Sequence, residues 1–263
     1  MTLYVVATPI GTLGDLSPRA REILGRVAVI AAEDTRMTRK LLTAVGVPAP
    51  HLVALHAHNE SEAAGALVDR ALREEIALVS DAGTPGISDP GRELVAMALA
   101  AGVEVRSVPG PSALASALAA SGFPAAPATF IGFAPLKGRD GFAEDVLGRS
   151  ETVVIYEAPT RLVDLVERLA ALSPDREAAM CREISKKFEE IRRAPLSELS
   201  ERLAKRELLG ECVLVVGPGE PWSRPSIEVA EDASLGDLAA AIGARLGIPK
   251  REAYQRLLAW KNE

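Results

Sequence analysis

Ser80-Asp81-Ala82-Gly83-Thr84-Pro85-Gly86-Ile87-Ser88-Asp89-Pro90-Gly91 follows the apolar run Ile76-Ala77-Leu78-Val79 and precedes a periodic apolar stretch over 94–101. A buried strand, a loop and then a helix is the order this pattern predicts. Gly83, Gly86 and Gly91 allow backbone conformations closed to other residues and close approach to a bound molecule, while Pro85 and Pro90 stiffen the path between them. Asp89 before Pro90 has the form of a helix N-cap with proline at the first helical position, so 89–91 is expected to start the helix. Asp81 and Thr84 are left without a structural duty. A rigid turn with incidental polar residues is the plain alternative. Open α/β sheets, however, bind ligands beyond the carboxyl ends of their strands, and twelve residues this rich in turn formers at a strand end read as a ligand site.

Working outward, strand and helix signals alternate through the first half. Residues 3–7 form a strand candidate that runs into Thr8-Pro9-Ile10-Gly11-Thr12-Leu13-Gly14-Asp15. Gly11 and Gly14 fill only part of the G-x-G-x-x-G spacing and no P-loop lysine follows, so a pyrophosphate cradle is not indicated. Ser17-Pro18 opens a helix, 27–32 is the next strand, and Glu33-Asp34-Thr35-Arg36 sits at its end, where a helix-dipole role and a site role are equally open. A strand near 52–55 leads to His56-Ala57-His58-Asn59-Glu60. Two histidines without a third local ligand do not make a catalytic zinc site, and Asn59 with Glu62 has the form of a capping box. Such alternation predicts a mainly parallel sheet covered on both faces.

Pro109-Gly110-Pro111-Ser112 breaks the pattern, and a domain boundary is expected near residue 110, with Ser112 at the junction as an N-cap, a site residue or both. The second half carries strands near 129–135, 152–157, 178–183 and 211–216. The charged run Ser185-Lys186-Lys187-Phe188-Glu189-Glu190 reads as a solvated edge strand. Prolines and charges over 220–233 indicate a linker, and 234–263 reads as a pair of helices with a basic second member, a packing appendage in preference to a nucleic-acid reader. The expected organisation is therefore α/β: an N-terminal α/β domain over 1–110, a C-terminal α/β domain over 111–219, the linker and the helical appendage.

The totals agree with this scheme. A chain of 263 residues exceeds the usual single-domain size, and 48% hydrophobic residues suffice for packed cores. Aromatics at 4% make wide stacking platforms for single-stranded nucleic acid unexpected, and a net charge of -6 gives no general attraction to phosphate backbones or anionic membranes. Cys181 and Cys212 are expected to be small buried residues of a reducing compartment, and no metal site is expected. With no basic leader in 1–10 and no spanning run, a soluble cytoplasmic protein without membrane partners is the expectation.

Ala32-Glu33-Asp34-Thr35-Arg36, Leu55-His56 with His58-Asn59-Glu60, the whole of 80–91, Val108-Pro109-Gly110-Pro111-Ser112-Ala113, Tyr156-Glu157-Ala158-Pro159 and Gly210-Glu211-Cys212-Val213-Leu214-Val215-Val216-Gly217 together resemble the tetrapyrrole methylase superfamily. Within it they are similar to the bacterial ribose 2'-O-methyltransferases of small-subunit ribosomal RNA, over almost the whole chain. The resemblance implies two α/β domains with S-adenosylmethionine in the cleft between them, a homodimer, and methylation of a cytidine ribose in the decoding region of 16S rRNA. Two departures stand out: Thr12 replaces the usual Asn after Pro-Ile-Gly, and Ile184-Ser185-Lys186-Lys187-Phe188-Glu189 replaces a phrase usually written Leu-Thr-Lys-x-Phe-Glu.

On this basis Pro9, Ile10, Asp81, Gly83, Thr84, Ser112, Ala113 and Tyr156 are the expected cofactor contacts. Asp34 and Glu189 are candidate bases, and Arg36 and Lys187 candidate binders of phosphate or hydroxyl groups. Asp81 near a cationic sulfonium would favour it electrostatically, although a turn-stabilising role is the ordinary alternative. A corrinoid or tetrapyrrole methylase and a non-catalytic nucleotide-binding regulator remain the competing functions, because fold alone does not separate them.

Overall fold

The computed structural model describes residues 1–56, 59–223, 234–246 and 248–261. His58 and residues 224–233, most of the expected linker, lie outside the described residues. Two compact units are present, Met1–Trp222 and Ser223–Glu263.

Within the first unit, β1 (Thr2–Val6), β2 (Val29–Ala32), β3 (His51–Ala54), β4 (Ile76–Val79) and β5 (Glu104–Val108) form one sheet in the order β3-β2-β4-β1-β5. Every pairing in it is parallel. The period-2 alternation of strands accounts for its two faces. Tyr4, Val6, Ile30, Ala32, Ala77 and Val79 point to one side, against α1 (Pro18–Arg26) and α2 (Thr35–Ala44) through Ala20, Ile23, Leu24 and Leu42. Leu3, Val29, Ala31, Ile76 and Leu78 point to the other, against α3 (Glu60–Ala71) and α4 (Arg92–Ala100) through Leu67, Val68, Leu94 and Ala98. Each fully buried leucine or isoleucine in these layers stabilises the fold by about 1.5–3 kcal/mol.

The helix starts follow local chemistry, with two corrections. Ser17 caps α1 by accepting from Ala20 N–H at 3.1 Å, with Pro18 at the first helical position. The helix after the glycine-rich loop does not begin on Asp89-Pro90. Its N-cap is Gly91 at φ 125°, and Glu60 of α3 caps it from outside by accepting from Gly91 N–H at 2.9 Å and Glu93 N–H at 2.8 Å. Nor does Asn59 form a capping box; its side chain accepts from His56 N–H and donates to the Ala54 carbonyl, closing the turn before α3.

The second sheet contains β6 (Ala128–Phe133), β7 (Thr152–Glu157), β8 (Glu177–Arg182), β9 (Glu190–Pro195) and β10 (Cys212–Val216) in the order β6-β7-β10-β8-β9. Only β6 and β7 run parallel; the other pairs are antiparallel. α6 (Arg139–Leu147), α7 (Pro159–Leu172) and α8 (Leu196–Leu203) cover one face. The opposite face receives α5 (Ala113–Ser121), where Ala117 and Leu118 pack on Val154, Ala179 and Val215. Because α5 follows β5 directly, Ser112 and Ala113 stand where the chain passes from one sheet to the other. Residues 183–189 are a turn and not an edge strand: Glu183 and Ser185 hold φ of 52° and 65°, a left-handed geometry incompatible with a strand.

In the second unit, α9 (Leu235–Leu246) and α10 (Lys250–Lys261) pack on one another, burying Ala239 and Ala253. Ser234 and Asp237 cap α9 reciprocally. Among the described residues no helix is long and apolar enough to cross a membrane.

Candidate functional site

The loops leaving β1 and β4 are tied together where these neighbouring strands end. Thr8 N–H donates to the Gly83 carbonyl at 2.9 Å, Gly83 N–H returns a bond to Thr8 at 3.1 Å, and Thr8 Oγ1 donates to the Ser80 carbonyl at 3.2 Å. Gly83 holds φ 81°, and a side chain there would bring its Cβ within 3.3 Å of Ile10 Cγ2. The backbone thus presents a shelf that another residue would fill. Thr84 Oγ1 donates to the Pro111 carbonyl at 3.2 Å and joins this shelf to the start of α5.

A cleft of about 440 Å³ opens beyond this shelf. Its first wall comes from Ile10, Glu33 and residues Asp81, Ala82, Gly83, Thr84, Ile87, Ser88 and Asp89; its second from Phe133, Tyr156 to Pro159, Cys181, Ile184 and Gly210 to Val213; Ser112 and Ala113 close the junction. Ser112 also caps α5 through Ala115 N–H, so it lines the cleft and caps the helix at once.

Seven of the sequence-derived residues therefore line one space: Ile10, Asp81, Gly83, Thr84, Ser112, Ala113 and Tyr156. Pro9 is buried beside Ile10 without lining it. Asp34, Arg36, Lys187 and Glu189 stand outside the cleft. Asp34 caps α2: its carboxylate accepts from Arg36 N–H at 2.8 Å and grips the Arg36 guanidinium at 2.7 Å, which holds its pKa far below the usual carboxylate range. Its own N–H donates to Asp81 Oδ1 at 3.0 Å, so it steadies the loop that does line the cleft. Glu189 accepts from Ser185 N–H at 2.6 Å, and exposed Lys187 lies over the Phe188 ring at 5.5 Å.

Glu33 and Asp89 line the cleft without having been singled out as ligand contacts. Acidic residues at helix starts usually serve the helix, and that rule concealed both. The carboxyls of Glu33, Asp81 and Asp89 are all raised above their ordinary pKa, first by burial and then by neighbouring negative charge: Asp89 and Asp81 act on Glu33, Asp81 acts on Asp89, and Asp34 acts on Asp81. Among the described residues no cation lowers Glu33 or Asp89, while Asp81 is eased by the Asp34 N–H and by the Arg36 charge. Opposite them, the Cys181 and Cys212 thiols are pushed up by burial to about 11, which leaves them as inert apolar lining. Among the described residues no cluster of three or more His, Cys, Asp or Glu is arranged to hold a metal ion.

Residues 183–189 reach across to the first sheet's loops. Thr12 Oγ1 donates to the Ser185 carbonyl at 2.6 Å, Thr12 N–H donates to Ser185 Oγ at 3.2 Å, and Ser185 Oγ donates to Asp15. The two places where the chain departs from the expected phrases thus touch each other. Gly11 is required beneath this contact, since a Cβ would lie 2.6 Å from Lys186 Cγ and 2.8 Å from the Ser185 carbonyl oxygen.

Comparison with known proteins agrees with this arrangement. Residues 2–200 match the family described as tetrapyrrole (corrin/porphyrin) methylases. The chain is 44% identical to the ribosomal RNA small subunit methyltransferase I of Pseudomonas aeruginosa, covering 98% of this chain and 96% of the relative. It is 38% identical to the protein of the same name from Halalkalibacterium halodurans, covering 96% and 93%. Among solved structures, a uroporphyrin-III C-methyl transferase from Thermus thermophilus complexed with S-adenyl homocysteine superposes with a TM-score of 0.56 at 23% identity, over 82% of this chain and 97% of that one. A diphthine synthase superposes at 0.63 with 15% identity, over 82% and 90%, which is a likeness of fold. The chain belongs to the tetrapyrrole (corrin/porphyrin) methylase family and, within it, to the group of ribosomal RNA small subunit methyltransferase I proteins.

Proposed function

We propose that this protein is an S-adenosylmethionine-dependent methyltransferase acting on small-subunit ribosomal RNA, at the ribose 2'-hydroxyl of a cytidine in the decoding region of 16S rRNA. The observation that carries the cofactor is the acidic wall: three carboxyls beside a glycine shelf, with a cation near Asp81 alone, suit a positively charged ligand without phosphate. The names of relatives matched over nearly the whole chain support the RNA substrate.

When bound, S-adenosylmethionine supplies an electrophilic methyl carbon on a cationic sulfur. Asp81 and Asp89 stabilise positive charge at that wall, Gly83 and Ile10 set the depth of the shelf, and Ser112, Ala113 and Tyr156 close it from the other side. Most of the acceleration comes from holding donor and hydroxyl in line and excluding water. Arg36 and Lys187 serve the substrate's phosphates from outside the cleft. Asp34, tied to Arg36, orients that guanidinium, and Glu189 holds the 183–189 turn that carries Lys187. Because Glu33 is raised toward neutrality while Asp34 is driven away from it, Glu33 is the better placed of the two to accept a hydroxyl proton. We further propose lobes over 1–110 and 111–219, a homodimer, and a cytoplasmic location.

Labelled methyl transfer to small subunits lacking the modification, followed by mapping of the modified nucleotide, tests this reading. Incorporation at a cytidine ribose is the expected result. Transfer to a tetrapyrrole acceptor and none to RNA would replace it with the corrinoid reading, and binding without turnover would leave a regulator.

A further inference from the structure

We propose that Phe133, with Ile87 opposite, forms a slot at the cleft rim that stacks a nucleobase of the RNA substrate; this rests on the function proposed above. The chain has only ten aromatic residues, counting 2 Trp, 3 Tyr and 5 Phe, yet three of them meet at one place. Tyr156 takes Phe130 at 4.8 Å and Phe133 at 5.5 Å between centroids, both edge to face. Residues 130 and 133 of a regular strand would face opposite sides of a sheet. They share Tyr156 because β6 carries a bulge: the register with β7 slips between Phe130 and Gly132, and Gly132 holds φ 81°. Bulges beside sites re-aim side chains, and this one turns Phe133 into the cleft.

The ring it delivers is unfinished as core. Phe133 remains 57% exposed and Ile87 48% exposed, although both line the cleft, one from each wall. Burial of these apolar surfaces awaits a ligand. The acidic loop repels phosphate, so the part of an RNA strand that enters here is the uncharged base and ribose, while Arg36 and Lys187 outside suit the flanking phosphates. Aromatic and apolar side chains gripping a base lifted from its stack are how enzymes that act on bases hold them, and the same grip here would fix the nucleotide whose ribose enters the cleft. The adenine of the cofactor offers the same flat ring, and the test must separate the two.

Phe133→Ala, Phe133→Leu and Phe133→Trp are compared with wild type for methyl transfer to small subunits lacking the modification, and for S-adenosylmethionine affinity by calorimetry. The alanine and leucine variants are expected to lose roughly tenfold or more in kcat/KM for the RNA, the scale of one base–aromatic stack, with cofactor Kd changed less than about twofold. Phe133→Trp is expected to stay close to wild type. The leucine variant keeps the packing volume, so its loss reports the ring and not the fold. Unchanged kcat/KM in both truncations overturns the slot while leaving the methyltransferase standing. A matching loss in cofactor affinity overturns it in favour of adenine. Failure of wild type itself to methylate RNA removes the function and the slot together.

Discussion

Glu157 and Asp89 line the same cleft, one from the second sheet and one from the first, and their carboxylates meet opposite surroundings. Glu157 is fully buried and fully answered: Arg139 reaches it at 2.8 Å, Arg161 at 2.7 Å, and Ala158 N–H at 2.8 Å. Arg139 is itself fixed by Asp164 and by the carbonyls of Pro135 and Arg161. Asp89 has Ser80 as its hydrogen-bonding neighbour, Asp81 and Glu33 as repulsive ones, and, among the described residues, no cation that offsets it. Charge on the second wall is spent holding β7 to α6 and α7. Charge on the first wall is left unspent, the condition of a surface kept for a ligand.

Removing each carboxylate in turn is the strongest way to break this comparison. Glu157→Ala leaves Arg139, only 10% exposed, with Asp164 as its remaining carboxylate, takes the partner from Arg161, and is expected to lower stability by about 3 kcal/mol, read as a shift of the urea midpoint at constant slope. Asp89→Ala removes repulsion from Asp81 and Glu33 along with one hydrogen bond to Ser80, two effects of opposite sign, and should move the midpoint by about 0.5 kcal/mol or less. Equal losses would show that both walls are structural.

Next in size is the shelf. Gly83→Ala places an L residue at φ 81° with its Cβ against Ile10, a strain of about 1–2 kcal/mol before any ligand is added. The same denaturation series measures it, and cofactor affinity should fall with it, since the added methyl group tilts Ile10 into the space it lines. A Gly83→Ala protein with wild-type stability would mean the loop relaxes freely and the shelf is not rigid.

Much of the first wall was legible because its signals are local. A buried strand, three glycines and two prolines within 80–91 suffice to place a loop at a sheet's carboxyl edge, where it lines the cleft. What was not legible is which acids face inward. Asp89-Pro90 carries a capping signature, but Glu60, 31 residues away from Gly91 in sequence, supplies the cap, and Asp89 is released to the cleft. Glu33 was likewise open to a helix-dipole reading that only tertiary placement excludes. On the second wall, the mean aromatic content hid the cluster at Tyr156, since composition averages over positions that a bulge brings together. Gly132 within an apolar strand was the one local sign of that bulge. The turn at 183–189 was misjudged because left-handed residues other than glycine leave no mark in composition.

A finer test concerns the first wall's acids as binders. Asp89→Asn keeps shape and hydrogen bonding while removing one negative charge, and should weaken S-adenosylmethionine binding roughly tenfold by calorimetry. Affinity unchanged within about twofold would detach the acidic wall from the cofactor.

The smallest effect expected is a pair of opposite pH slopes. Glu33, Asp81 and Asp89 have folded pKa values raised above their unfolded ones, so between those values the folded chain holds protons that the unfolded chain has released. Stability of the ligand-free protein from these groups therefore falls as pH rises through that window, and the penalty is fully present above the folded pKa. Affinity for a cationic ligand runs the other way, because only the ionised carboxylates attract it; binding strengthens as pH rises through the same window and levels off above it. Asp89→Asn should flatten both slopes together, whereas Glu157→Gln, on the wall whose charge is already paired, should leave the slope of cofactor affinity as in wild type. Calorimetric titrations from about pH 5 to 8, matched with urea midpoints, make the measurement, since pH 5 lies above the ordinary carboxylate range, and comparison with Asp89→Asn separates the raised carboxyls from the histidines that also titrate there. Affinity that rises with falling pH would mean that protonated carboxyls donate hydrogen bonds to the ligand, and the first wall would then act as a set of acids and not as a field.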